Sequence, residues 1–139
     1  MDIRSVMTAN PACCHRDATL QQVARLMKQN DCGQIPVVDD GNKPVGVITD
    51  RDIAVRAVAE GSDIRNATVA DCMSTPVATV RDNSSVDECY RLMEQNRIRR
   101  VVVVDQQGNV AGIVAQADIA LSGRDAKTAE VVKQVSHPS

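Results

Sequence analysis

Residues 19–54 align with residues 85–120 at a constant offset of 66, and 12 of the 36 aligned positions are identical. "RLMKQN" (25–30) meets "RLMEQN" (91–96), "VVD" (37–39) meets "VVD" (103–105), and "DIA" (52–54) meets "DIA" (118–120). Most differences keep the chemical type, as where Val47 meets Ile113. Upstream, "VMTANP" (6–11) resembles "CMSTP" (72–76) with a one-residue gap. A duplication of this kind constrains the fold more than composition does, because both copies must satisfy one backbone plan.

The plan can be read from periodicity. Leu20, Val23, Ala24 and Met27 recur at helical spacing, and Val86, Cys89, Tyr90 and Met93 repeat that face. Each helix is followed by a β-rich run ("IPVVD", "VVVVD"), a turn containing Gly and Asn, and a second strand ("VGVIT", "VAGIVA"). Another helix is predicted from Asp50 to about Glu60–Gly61, where Gly is a natural terminator. Short apolar pieces at Ala12–His15 and Val77–Val80 add one strand to each copy. The predicted order is strand, helix, strand, strand, helix, so the class is α/β (α+β). The expected boundaries are 1–60 for the first copy and 61–68 ("GSDIRNAT") for a polar linker. The second copy takes 69–122, and 123–139 forms a tail with helical spacing at Ala129, Val132 and Val135. Each copy is too small to bury its own strands, so the two are expected to pack sheet against sheet about a pseudo-twofold axis, with ligand sites in the clefts between them.

Composition removes several function classes. The chain has no Trp or Phe and a single Tyr, so it lacks the stacking platforms of many RNA and single-strand binders. A net charge of -2 gives no general electrostatic grip on nucleic acid. No apolar run is long enough to span a bilayer, and "MDIRSVM" lacks the basic and apolar regions of a secretory signal. Five cysteines without a CxxC pair fit a reducing, cytoplasmic setting. Cys13, Cys14 and His15 are adjacent on an extended segment, where neighbouring side chains point to opposite faces, so no metal site is expected. No nucleophile and base pair with motif context appears, and Asp50 with Asp52 reads as a helix start rather than a glycosidase-like dyad. The expectation is a protein that is not an enzyme and requires no cofactor.

The stretch "GVITDRD" (46–52) carries the functional question. Thr49-x-x-Asp52 fits the Ser/Thr-x-x-acid signature of a helix N-terminus. The second copy, "GIVAQAD" (112–118), replaces the Thr by Ala115 and the first acid by Gln116 yet keeps Asp118, which suggests that the Asp is not tied to a capping partner. A helix start at a strand end suits a phosphate, and a carboxylate in its first turn can accept both hydroxyls of a ribose.

"GVITDRD" resembles the Gly-x-x-Thr/Ser-x-x-Asp signature of CBS domains, and "GQIPVVDDGNKPVGVITDRDIA" and "VMTANP" are similar to that family's repeat throughout. The resemblance covers about residues 1–122 as two tandem copies, a CBS pair or Bateman module. It implies a regulatory module for AMP, ADP, ATP, S-adenosylmethionine or NAD-type compounds. By that resemblance Asp52 holds ribose hydroxyls, Thr49 sits beside ribose and phosphate, and Ile35, Pro36 and Ala12 line the adenine pocket. The matching residues of the second copy are Asp118, Val101, Val102 and Val77, with Ala115 departing from the pattern. Arg99 and Arg100 match a basic pair that reaches phosphate in some nucleotide-sensing members, although "RIRR" also reads as the solvated edge of a strand; Arg51 is a further phosphate candidate. A homodimer and a regulated protein partner are the expected associations. The alternatives are a ligand-free dimerisation module and a regulator that responds to cysteine oxidation.

Overall fold

Thr19 and Ser85 end extended chain and start the two long helices, each accepting the backbone N–H three residues on, at 3.2 and 3.1 Å. In the computed structural model, which describes residues 2–121, a 3-10 turn (Ile3–Ser5) precedes β1 (Thr8–Ala9), α1 (Leu20–Asn30), β2 (Gln34–Val38) and β3 (Pro44–Thr49). Next come α2 (Asp50–Ile53), continued by a π-helical turn (Ala54–Val58), and α3 (Val69–Cys72). Then follow β4 (Thr79–Arg81), α4 (Val86–Asn96), β5 (Arg100–Val104), β6 (Val110–Ala115) and α5 (Gln116–Leu121). The class is mixed α and β. The helical spacing noted at Ala129, Val132 and Val135 lies outside the described residues.

The duplicated sequence builds duplicated detail. Asn30 and Asn96 each donate to the carbonyl four residues back, Leu26 at 2.8 Å and Leu92 at 3.0 Å, which accounts for the Asn that closes both "RLMxQN" runs. Each helix stops on a left-handed residue, Asp31 (φ 48°) or Arg97 (φ 53°). In the hairpin turns Asp39 and Asp105 each accept two backbone N–H groups. The left-handed position there is Asn42 in one turn and Gly108 in the other, the two residue types that tolerate it best.

The chain divides into two compact units that are cut differently from the sequence repeats. One is Pro11–Val77; the other joins the N-terminal Met1–Asn10 to the chain from Ala78 onward. In the first unit β2 and β3 pair antiparallel, Cys14 bridges Val37 in parallel and Ser74 bridges Val47 antiparallel. In the second unit the corresponding pairings lengthen into a four-stranded sheet, β1-β6-β5-β4. Thus "VMTANP" pairs with β6 and "CMSTP" with β3: each segment lies on the strand of the copy that it does not precede in sequence.

Three expectations change accordingly. Residues 3 and 6 of the first copy lie in the core of the second unit, with Val86, Met93, Val101, Val114 and Ile119. The strand expected at Ala12–His15 is a single bridge at Cys14, and that expected at Val77–Val80 is β4, which begins two residues after Val77. The segment 61–68 is not a free linker. Ile64 and Ala67 pack on the first core, and their carbonyls accept the first N–H groups of α1, from Gln21 and Leu20, each at 3.0 Å.

Candidate functional site

The motif turn of the first unit is closed by two reciprocal bonds. Asp52 N donates to Thr49 Oγ1 and Thr49 N donates to Asp52 Oδ2, both at 3.0 Å, a complete capping box. The turn is anchored to the strand before it by Asp50 N, which donates to the Gly33 carbonyl at 2.9 Å. As an acceptor, Thr49 keeps its hydroxyl proton for another partner. Asp52 keeps Oδ1, which faces Arg56 Nε at 3.9 Å, and its side chain is 13% exposed. A hydroxyl donor and a carboxylate oxygen thus stand together at the strand end, a pair suited to a vicinal diol.

The second turn retains the same backbone. Gln116 N donates to the Arg99 carbonyl at 2.8 Å and Ala115 N donates to Asp118 Oδ2 at 2.9 Å. Asp118 therefore performs half of a capping box without a Thr. Its retention without the Thr has a local structural reason, the bond from the Ala115 N–H.

Strand alternation sorts the remaining candidates. Ile35 and Val101 are fully buried in the two hydrophobic cores, among residues of α1 and α4. Pro36 and Val102, one residue on, are buried as well, Val102 fully, on the opposite faces of the same strands and outside those two clusters. Ala12 is partly buried against the first core, and Val77 is half-buried. Arg51, Arg99 and Arg100 are exposed. Register places Arg100 directly across from Ala115 and Gln34 directly across from Thr49. The second turn therefore has a guanidinium on the neighbouring strand where it lacks a hydroxyl.

The opening glycine of each motif also has a role that periodicity does not show. A Cβ on Gly46 would lie 2.9 Å from the Ser74 carbonyl oxygen and 3.1 Å from Met73 Sδ. One on Gly112 would lie 2.5 Å from Met7 Sδ and 3.0 Å from the Thr8 carbonyl oxygen. These glycines let the "CMSTP" and "VMTANP" segments cross close over β3 and β6. The matching methionines, Met7 and Met73, are what each glycine accommodates.

Beside the first turn, an open depression of about 520 Å³ runs between α1 and α2, with Met27, Lys28, Asp31, Cys32, Asp50 and Ile53 on its walls. It reaches Asp50 but neither Thr49 nor Asp52. All five cysteines are free. Burial pushes the Cys14 thiol up to about 12, helped by neighbouring Cys13, and the Cys89 thiol up to about 11; Cys13 and Cys72 are raised by burial as well. Cys14 is buried, Cys13 half-buried with Sγ 3.3 Å from the Pro11 carbonyl, and His15 exposed, so these three do not converge. Among the described residues no group of three or more His, Cys, Asp or Glu is placed to hold a metal ion, and no helix is long and apolar enough to cross a membrane.

The CBS domain family profile matches residues 3–58 and 69–123. The chain belongs to the CBS-domain family. It is a tandem pair, and its relatives include proteins of the same size. The CBS domain-containing protein YhcV of Bacillus subtilis is 38% identical over 97% of this chain and 95% of its own length. The crystal structure of hypoxic response protein I, which contains two coordinated zinc ions, is 32% identical with a TM-score of 0.76, covering 87% of this chain and 98% of that one. Another CBS pair, solved in complex with 5′-methylthioadenosine and S-adenosyl-L-methionine, is 28% identical with a TM-score of 0.77, covering 88% and 98%.

Proposed function

We propose that this CBS pair is a non-enzymatic regulatory sensor that takes an adenosyl compound (AMP, ADP, ATP, S-adenosylmethionine or an NAD-type ligand) at the Thr49–Asp52 turn. The observation that carries this reading is the Thr49 hydroxyl beside the Asp52 oxygen that the capping bond leaves over, in a chain similar over nearly its whole length to a pair solved with two adenosyl compounds. Asp52 and Thr49 take the ribose, while Pro36 and Ala12 provide apolar surface for the base. Arg51 lies near enough in sequence to meet a phosphate. Binding stabilises one conformation and changes how the chain meets a protein partner.

The second turn is read as a distinct site. Asp118 offers a carboxylate, and Arg100, across from Ala115, with Arg99 supplies cations where the hydroxyl is missing. Arg–phosphate pairing makes that turn favour a ligand richer in phosphate. The chain acts as a homodimer in this reading. Val55 and Val58 are 51% and 62% exposed on the π-helical turn, and the depression beside α2 pairs Lys28 with Asp31 and Asp50, a charge pattern that a second copy can complement.

The test is a thermal-shift panel of AMP, ATP, S-adenosylmethionine and 5′-methylthioadenosine on wild type and Asp52→Ala. A ligand that raises the melting temperature of wild type but not of Asp52→Ala supports the reading. A panel without any shift at millimolar concentration sinks it. One observation favours a second reading, a constitutive interaction module without ligand: both motif carboxylates already have a backbone N–H to accept. Equal partner binding by wild type and the Asp52→Ala, Asp118→Ala double variant would support that one.

A further inference from the structure

Arg56 stands one helical turn beyond Asp52 and reaches two places at once. Its Nη1 donates to the carbonyls of Cys72 at 3.1 Å and Met73 at 3.2 Å, and its Nε lies 3.9 Å from Asp52 Oδ1. Those carbonyls close α3, where a cation is favoured by the helix end. Immediately after them the chain crosses over Gly46: Ser74 N donates to the Val47 carbonyl at 2.9 Å, and Val47 N donates to the Ser74 carbonyl at 3.2 Å. The guanidinium is about half exposed, so its attraction to Asp52 is weak through solvent, and the two carbonyl bonds are the firmer attachment.

We infer that Arg56 is a positioning residue that fastens the Met73–Thr75 crossing to the motif helix and steers the free oxygen of Asp52. At 3.9 Å the guanidinium orients Oδ1 electrostatically without closing a hydrogen bond on it, so the oxygen keeps its capacity to accept a hydroxyl. A ligand hydroxyl that bonds Oδ1 then acts on the ion-pair partner of the side chain that holds the crossing, and site and crossing are coupled through Arg56. In sequence the arginine is not repeated, since the residue aligned with Arg56 at the repeat offset is Ser122. The ligand half of the inference rests on the adenosyl-sensor reading; the tether half does not.

Two variants separate these parts, Arg56→Met, which removes charge and donors, and Arg56→Lys, which keeps charge but loses the fork. AMP and S-adenosylmethionine binding is measured by calorimetry, and backbone amide exchange at Val47 and Ser74 is followed without ligand. Arg56→Met is expected to weaken binding roughly tenfold, the size of coupling within one polar network, and to speed exchange at both amides by a similar factor; Arg56→Lys recovers part of the affinity. Wild-type affinity in Arg56→Met overturns the ligand half, and unchanged exchange at Ser74 overturns the tether. If wild type binds neither probe, the sensor reading falls and takes the ligand half with it, while the exchange measurement still decides the tether.

Discussion

Thr49 and Ala115 occupy one position in two copies of the same turn, and only Thr49 carries a hydroxyl. Both turns hang from the neighbouring strand by a bond of 2.8–2.9 Å, and both seat an Asp carboxylate on the N–H of the residue three before it. The first copy adds the reciprocal bond, an arginine tether, and a Gln across the strand; the second has an arginine across the strand instead. The backbone of such a turn is kept by one carboxylate bond and one bond to the segment before the neighbouring strand, and this leaves the other positions open to diverge.

The comparison can be broken most severely at the two glycines. Gly46→Ala drives a Cβ to 2.9 Å from a backbone carbonyl, whereas Gly112→Ala meets the movable end of Met7 first and the Thr8 carbonyl at 3.0 Å. Gly46→Ala is expected to cost about 3 kcal/mol and Gly112→Ala about 1 kcal/mol in urea unfolding, within the usual span for overpacking. Equal losses would mean that the two crossings are equally rigid.

Ligand response comes next. Asp52→Ala is expected to abolish the melting shift given by an adenosyl compound, and Asp118→Ala to remove only a smaller, second binding step. Arg100→Gln should lower the affinity of ATP relative to 5′-methylthioadenosine, which lacks phosphate, as read by calorimetry. An unchanged ratio would remove Arg100 from the second site.

Completing or removing the cap is a milder change. Thr49→Ala is expected to cost about 1 kcal/mol of stability, and Ala115→Thr to gain about 0.5 kcal/mol by restoring the missing acceptor. Loss of stability in Ala115→Thr would show that the second turn has no room for a hydroxyl.

The smallest effect is confined to alkaline solution. Cys14 in the first unit and Cys89 in the second hold their protons to about 12 and about 11, above the ordinary 9.0, because burial disfavours the thiolate. The unfolded chain loses those protons first, so stability is full below about pH 9 and falls as pH rises toward the folded values. Cys14→Ala is expected to flatten this decline more than Cys89→Ala when melting temperature is followed from pH 8 to 11.

Much of this architecture is legible along the chain because its causes are local. The helix faces at Leu20–Met27 and Val86–Met93, the caps at Thr19 and Ser85, and the left-handed turn positions at Asn42 and Gly108 each depend on residues within a few positions of one another. The motif turn is of the same kind, so its Thr and Asp could be placed from spacing alone. The faces of β2 and β5 could not. A near-continuous apolar run carries no alternation to read, and only packing shows that Ile35 and Val101 turn to the side of α1 and α4.

Sequence by itself determined that there are two copies, the helix, strand, strand, helix order within each, and which short turn carries an acid beside a hydroxyl, because periodicity and capping act over one or two turns of chain. Tertiary structure alone decided that "VMTANP" lies over β6 and "CMSTP" over β3, that Gly46 and Gly112 are there to let them cross, and that Arg56 joins one crossing to Asp52. Those contacts link residues that are close only after the chain has folded back on itself, and no local spacing rule encodes which distant segment will arrive.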